Sequence, residues 1–355
     1  MEKILVINPG STSTKIAVYD GETQVLVHNI MHPADVLDEL GTTFDQLDYR
    51  TKMISEVLQE MEIADDSFDC IMGRGGGIPN LLTGGYRVND VLLNTAQFNP
   101  LFDHASNIGA ALAQRFAVKS GCDAYIYDAV SADALAPIAK VTGFNKMQRI
   151  SLCHVLNARA QAIKYAKSIG KTYADMNLIV VHMGGGITVS AHAKGVMVDI
   201  VRDDEGPMSP TRSGLVNATA LVEACYSGEF TKDEMIKKIR GDAGFVNLLG
   251  TNSAIEVDER AQKGDAYAKL VYEATGYQVA KGCLSLLGCF TEKADAVILT
   301  GGLAHSDTLT GFIKSRVESI IPVVVMPGES EMEALAYGGL RILRGEEEAR
   351  PEYNF

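Results

Sequence analysis

The feature that most constrains this chain is a strand, polar turn, strand unit that occurs twice. Lys3 to Asp20 (KILVINPGSTSTKIAVYD) sets the apolar runs Ile4–Ile7 and Lys15–Tyr19 on either side of Asn8-Pro9-Gly10-Ser11-Thr12-Ser13-Thr14. Gly and Pro mark the turn between two strands. A turn so dense in hydroxyls, with Lys15 at its exit, can aim backbone N–H groups and side-chain donors at one point, as a phosphate requires. A solvated hairpin loop accounts for the same residues, and this loop alone leaves both readings open. Leu178 to Asp199 (LIVVHMGGGITVSAHAKGVMVD) repeats the pattern, with Gly184, Gly185, Gly186 and Thr188 in its turn. A further apolar strand, Ala296–Thr300, runs into Gly301 and Gly302. The two hairpins lie about half a chain apart, which implies two related halves rather than a short-period solenoid.

The 355 residues suffice for two domains with substantial cores. Hydrophobic residues at 46% and charged residues at 22% describe an ordinary globular chain. The net charge of -13, without a basic run, argues against nucleic acid and against an anionic membrane surface as partners. It does not argue against phosphate ligands, which need only a few local cations. The six cysteines are scattered without CxxC or Cys/His spacing, so reduced core residues are expected rather than disulfides or zinc ligands. The chain enters a strand within three residues of Met1 and has no apolar stretch long enough to span a bilayer. No signal peptide and a cytoplasmic location are therefore expected.

Other candidates follow in chain order. Thr42–Met61 has the apolar periodicity of an amphipathic helix. Phe68–Met72 reads as a strand leading into Gly73-Arg74-Gly75-Gly76-Gly77, where guanidinium and backbone can approach a ligand together; a plain turn with a surface arginine fits as well. His104 precedes Ser106 and Asn107, either of which can cap the helix that follows. Asp128 ends a strand at Tyr125–Tyr127 and reads as a turn former, a metal ligand or an orienter, since ligands of open α/β folds gather at strand ends. His154 stands just before a helix, and His182 before the second Gly turn, where it either holds the turn or touches phosphate. His28, His32, His192 and His305 are read as structural. The polar loop Asp203–Gly214 ends in Thr211-Arg212-Ser213-Gly214. Asp265–Phe290 is a long apolar helix, read as core or subunit interface. Ile321–Met326 is a last strand. Ser330 and Glu333 form a capping box for the terminal helix Ala334–Arg344, and Glu331 also suits a helix N-terminus.

In this order the elements resemble the actin-like ATPases and the sugar and acetate kinases, and Asn8–Lys15 resembles the first signature of the acetate kinase family. The resemblance covers Asn8 to about Arg344. It implies an α/β fold of two actin-like (ribonuclease H-like) domains of duplicated topology with a nucleotide cleft between them. The expected domains are 1–150, with the C-terminal helix 331–355 packed back on it, and 151–330. The resemblance implies a reversible transfer of the γ-phosphate of ATP to a short-chain carboxylate, giving acyl phosphate and ADP. Arg74 and Arg212 would clamp the phosphoryl group, His154 and Asn8 would donate to the transition state, and Asp128 would be the catalytic aspartate. Ser11, Ser13, Lys15, His182, Gly184–Gly186, Gly301 and Gly302 would line the nucleotide phosphates. Mg²⁺ would sit near Asp128 and Glu331, and His104 would lie in the substrate pocket. A homodimer or larger homo-oligomer is implied.

Three departures resemble the branch of the family that acts on butyrate and branched-chain fatty acids. The chain is shorter, His182-Met183-Gly184 replaces an asparagine-containing turn, and Gly75–Gly77 replace bulkier residues. With Gly76 and Gly77 placing no side chain near the acyl group, butyrate or isobutyrate is the expected acid, with acetate or propionate the alternative. The family's adenosine-contacting run is missing at Asn252–Gln262, so those contacts are not carried over. A nucleotide-gated actin- or chaperone-like ATPase, and a sugar kinase using Asp128 as base, remain as further readings.

Overall fold

The computed structural model describes residues 2–354. The chain forms two compact units, Met1–Asp133 with Ser330–Phe355, and Ala134–Glu329. The first break falls earlier than the expected position at 150. The reason is local: residues 134–150 bond into the second unit, through Ala136 N to the Val198 carbonyl at 2.8 Å and Arg149 Nη1 to Asp199 Oδ1 at 2.8 Å.

In the first unit, β1 (Lys3–Pro9), β2 (Ser13–Asp20), β3 (Thr23–Met31), β4 (Cys70–Arg74), β5 (Gly85–Arg87) and β6 (Asp123–Tyr127) build a six-stranded sheet in the order β3-β2-β1-β4-β6-β5. β1 to β3 form an antiparallel meander, and β4 and β6 add in parallel on the free edge of β1. Ile4 to Ile7 are fully buried because both faces of β1 are covered. One face carries Leu5 and Ile7 against Ile54 and Leu58 of the helix Leu47–Glu60 and Phe116 of the helix Gly109–Ser120. The terminal helix Glu331–Leu343 packs on β1 and β4 with Met332, Leu335, Ala336 and Leu340 buried.

In the second unit, β7 (Asn177–Met183), β8 (Ile187–Ala193), β9 (Val196–Val201), β10 (Ala296–Thr300) and β11 (Val323–Val325) pair in the order β11-β10-β7-β8-β9. The rule is the same: an antiparallel meander, then parallel strands added beside its first member. The duplicated topology implied by the sequence is therefore present. The helix Ala266–Ser285 packs on this sheet through Val271, Val279 and Cys283.

Parallel strands bring their carboxyl ends to one edge, which is where ligands of such sheets gather. In the first unit that edge carries Asn8, Arg74 and Asp128, because Ile7 pairs with Gly73 and Arg74 with Tyr127. In the second it carries His182 and Thr300, directly paired, followed by Gly184 and Gly301. Arg74 is thus the last residue of a strand, two positions beyond the expected strand end. Among the described residues no helix is long and apolar enough to cross a membrane.

Candidate active site

The first unit gathers its candidates around Glu331. Asn8 Nδ2 donates to Glu331 Oε2 at 2.8 Å, and Arg74 Nη2 lies 3.3 Å from Oε1. The Arg74 side chain is 13% exposed, and its Nη1 is buried without a hydrogen-bond partner. A guanidinium edge left unmatched at a strand end is a donor awaiting an acceptor. The capping box does not form: Ser330 has φ -113° and ψ 46° and makes no side-chain cap. Asp128 is buried with φ 44°, and its Oδ1 accepts the Gly84 amide at 2.7 Å.

Neither Ser106 nor Asn107 caps the helix Gly109–Ser120, whose first turn continues from the 3-10 turn Ala105–Ile108. Asn107 holds the glycine segment instead: Oδ1 accepts the Gly77 amide at 2.8 Å and Nδ2 donates to the Phe102 carbonyl at 2.8 Å. His104 is exposed and caps the 3-10 turn, its Nδ1 accepting the Ser106 amide at 3.1 Å. The glycines have a packing cause that the sequence does not show. A Cβ on Gly76 would meet Asn107 Oδ1 at 2.1 Å, and one on Gly77 would meet the Phe102 ring at 2.9 Å. The volume beside them is filled, so missing side chains there do not by themselves open room for a longer acid.

Ser11 and Thr12 are exposed on the loop between β1 and β2; Ser13, half-buried, opens β2, and Lys15 is exposed on it. His32 Nε2 lies 2.8 Å from Thr14 Oγ1 inside the unit.

In the second unit the Gly turn and the arginine loop are stitched together. The Gly185 carbonyl accepts Ser209 Oγ at 2.6 Å and Thr211 Oγ1 at 2.9 Å. Beside Gly186 lie Asp203 Oδ2 and the His154 ring, 3.3 Å and 3.8 Å from the place a Cβ would take. Arg212 Nε donates to Asp203 Oδ2 at 2.9 Å, and Arg240 Nη2 donates to the same oxygen at 3.1 Å. Asp203 is 5% exposed, so one buried carboxylate orients two arginines and the cluster keeps net positive charge. The rings of His154 and His182 stack at 3.8 Å with 12° between planes. His154 Nδ1 meets Thr188 Oγ1 at 3.0 Å. His182 Nδ1 accepts Asn157 Nδ2 at 2.9 Å, which leaves its proton on Nε2, 3.2 Å from Glu329 Oε1. Both His182 nitrogens are engaged within the protein, which favours its role as a holder of the turn. Gly301 has φ 88°, and a Cβ there would lie 2.5 Å from the Met183 carbonyl, so the third Gly turn is fixed by close approach to β7.

Sequence reasoning missed Arg50, Asp203 and Arg240. Arg50 was visible as a charge on the buried stripe Arg50, Ile54, Val57, Leu58. Asp203 sits in the same polar loop as Arg212, while nothing local marks Arg240.

A family model described as the Acetokinase family matches residues 157–316. The chain is 42% identical over 350 residues, 98% of each chain, to Butyrate kinase 2 of Clostridium acetobutylicum. Among solved structures it is similar to an acetate kinase of Porphyromonas gingivalis, with TM-score 0.79 and 15% identity over 97% of this chain and 100% of that one. It is also similar to an acetate kinase of Entamoeba histolytica, with TM-score 0.76 and 13% identity over 95% and 98%. At these identities the solved structures speak to the fold alone. The likeness to the Clostridium enzyme runs the length of the chain, and on it the chain belongs to the acetokinase family.

Proposed function

We propose that this protein is a kinase of short-chain fatty acids that moves the γ-phosphate of ATP to butyrate or isobutyrate, reversibly. The observation that carries the reading is the 42% identity to Butyrate kinase 2 over 98% of both chains. The unmatched Nη1 of Arg74 and the paired arginines on Asp203 supply the cations such a reaction needs.

A substrate carboxylate oxygen attacks the γ-phosphorus as the bond to the bridging oxygen of ADP breaks. The carboxylate is ionised at neutral pH, so no general base is required. The protein's task is in-line positioning and neutralisation of the equatorial oxygens. We assign the neutralisation to Arg74 and Arg212, and donation to the transition state to Asn8 and His154. Ser11, Ser13, Lys15, Gly184–Gly186, Gly301 and Gly302 are assigned to the nucleotide phosphates. Mg²⁺ would need only one or two protein carboxylates beside the substrate phosphates. Asp128 and the half-buried Glu331 suit that requirement, and no cluster of three ligating side chains is found among the described residues. Bound there, Mg²⁺ would neutralise phosphate charge. A homo-oligomer belongs to the same reading: Tyr267, Leu270 and Tyr277 of the helix Ala266–Ser285 are exposed.

A second reading, acetate or propionate as the preferred acid, is favoured by the filled space beside Gly76 and Gly77. Hydroxamate trapping of acyl phosphate with acetate, propionate, butyrate and isobutyrate decides between them. Preference for acetate would remove the butyrate assignment. Phosphate release independent of any acid would point instead to a nucleotide-gated ATPase.

A further inference from the structure

Beneath the hydroxyl loop lies a guanidinium with no acid beside it. Arg50 is wholly buried. Its Nη1 donates to the carbonyls of Gly10 at 3.0 Å and Ser13 at 2.9 Å and to Thr14 Oγ1 at 2.9 Å. Its Nη2 donates to the Ser11 carbonyl at 3.2 Å and to Gln46 Oε1 at 2.8 Å, and Nε reaches the same Gln46 oxygen at 3.1 Å. Every partner is neutral. Burial lowers the pKa to about 10, so the group remains a cation at neutral pH. His32, whose Nε2 lies 2.8 Å from Thr14 Oγ1, adds no charge at neutral pH, since burial lowers its pKa to about 4.

An unpaired buried charge is costly, and proteins retain such violations chiefly where function requires them. The loop's orientation shows what this one does. The carbonyls of Gly10, Ser11 and Ser13 point inward to Arg50, and that of Thr12 accepts the His32 amide at 2.9 Å. Four successive carbonyls are thus bonded within the protein, three of them to Arg50, and the Gly10 amide donates to the Ser13 carbonyl at 2.8 Å. Ser11, Thr12 and Lys15 are exposed. Exposed hydroxyls grouped with an ammonium favour an anion.

We propose that Arg50 is the organising cation of a phosphate-binding loop: it fixes the carbonyls of Gly10, Ser11 and Ser13 and, with Lys15, lends positive charge to a phosphate oxyanion bound on the loop's exposed side. This rests on reading the loop as a nucleotide phosphate site. Arg50 is a positioning residue, since the loop backbone separates it from any ligand.

The test is the binding of adenosine, ADP and ATP, each with Mg²⁺, to the full-length protein by calorimetry. The variants are Arg50→Lys, Arg50→Gln, Ser13→Ala and Lys15→Ala, with melting temperatures measured alongside. Arg50→Gln is expected to weaken ATP and ADP by about tenfold or more, the scale of a charge-assisted contact, and to leave adenosine within about twofold. Arg50→Lys keeps the charge without the planar fork and is expected to lose about threefold to tenfold, again only for the phosphorylated ligands. A purely structural role predicts a lower melting temperature with an unchanged ratio of ATP to adenosine affinity, and that result in either folded Arg50 variant overturns the proposal. Should Arg50→Gln fail to fold, Arg50→Lys alone decides. If Ser13→Ala and Lys15→Ala lower the ratio and the Arg50 variants do not, only the role of Arg50 falls. If none of the four lowers it, the phosphate reading of the loop falls as well.

Discussion

Arg212 is oriented by Asp203: the arginine Nε–H donates to Oδ2 at 2.9 Å, and the same oxygen holds Arg240 at 3.1 Å. With Nε committed, Arg212 has a fixed plane, and its Nη1 is bonded to Thr211 Oγ1 at 2.8 Å. A cation so prepared loses little entropy when it meets a phosphoryl group. Arg212→Ala or Arg74→Ala should lower kcat by about two to three orders of magnitude with little change in KM for ATP, as removal of one transition-state contact typically does. Asp203→Asn should lower kcat by about tenfold, less than loss of the arginine itself, because the amide oxygen can still accept one N–H. Steady-state kinetics on the three variants checks the order. Equal losses in Asp203→Asn and Arg212→Ala would mean that Asp203 does more than orient.

Asp128 combines a left-handed backbone with a buried carboxylate that accepts the Gly84 amide. Asparagine tolerates that conformation and can accept the same bond, so Asp128→Asn should keep its melting temperature while losing most activity and needing more Mg²⁺. Asp128→Ala should in addition be destabilised by about 1–3 kcal/mol, because the buried Gly84 amide loses its acceptor. Calorimetric melting beside activity separates the cases. A fall in stability that tracks activity in Asp128→Asn would make Asp128 a turn former.

The filled volume beside Gly76 and Gly77 changes what their replacement can report. Gly76→Val would force a β-carbon against the Asn107 side chain and, at 2.7 Å, its backbone nitrogen. Overpacking of this kind costs about 1–3 kcal/mol, so the expected outcome is lost stability rather than a changed acid preference. The side chain to alter is Phe102, which is 37% exposed and lies over Gly77. Phe102→Ala should raise kcat/KM for butyrate relative to acetate by about threefold or more, each buried methylene being worth about 0.8 kcal/mol. An unchanged ratio would place the acyl chain elsewhere.

Two buried histidines set a pH dependence. Burial, with a smaller contribution from the Arg50 cation, lowers His32 from 6.5 to about 4. Burial, then the Arg159 cation, lowers His192 from 6.5 to about 3. Between these values and 6.5 the unfolded chain binds protons that the native state does not, so stability rises with pH through that window and is lost as pH falls from about 6.5 toward 4. Denaturant midpoints at pH 7.5, 6 and 5 should decrease in that order. His192→Gln should flatten the trend, and an unaltered slope would assign it to other groups.

The strands and turns were legible in the sequence because their signals are local. Apolar runs bounded by glycine and hydroxyl clusters mark β1, β2, β7, β8 and β10, and their recurrence half a chain apart marks the repeated topology. The same signals placed Asn8, Arg74, Asp128 and His182 at strand ends, where the folded chain has them. What faces them was decided by tertiary structure alone. Glu331 meets Asn8 across 323 positions of chain, although its place in the first turn of the terminal helix marks it only as an acid suited to a helix N-terminus. Arg50 reaches Gly10 across 40 positions, although its own helix marks it only as a charge on an apolar stripe. Arg240 shares Asp203 with Arg212, and Phe102 and Asn107 occupy the space that Gly77 and Gly76 seemed to leave open. Turn and strand propensities act over a few residues and can be read from them. The partner of a side chain is set by strand order, register and helix docking, so its position along the chain carries no mark of what it will touch.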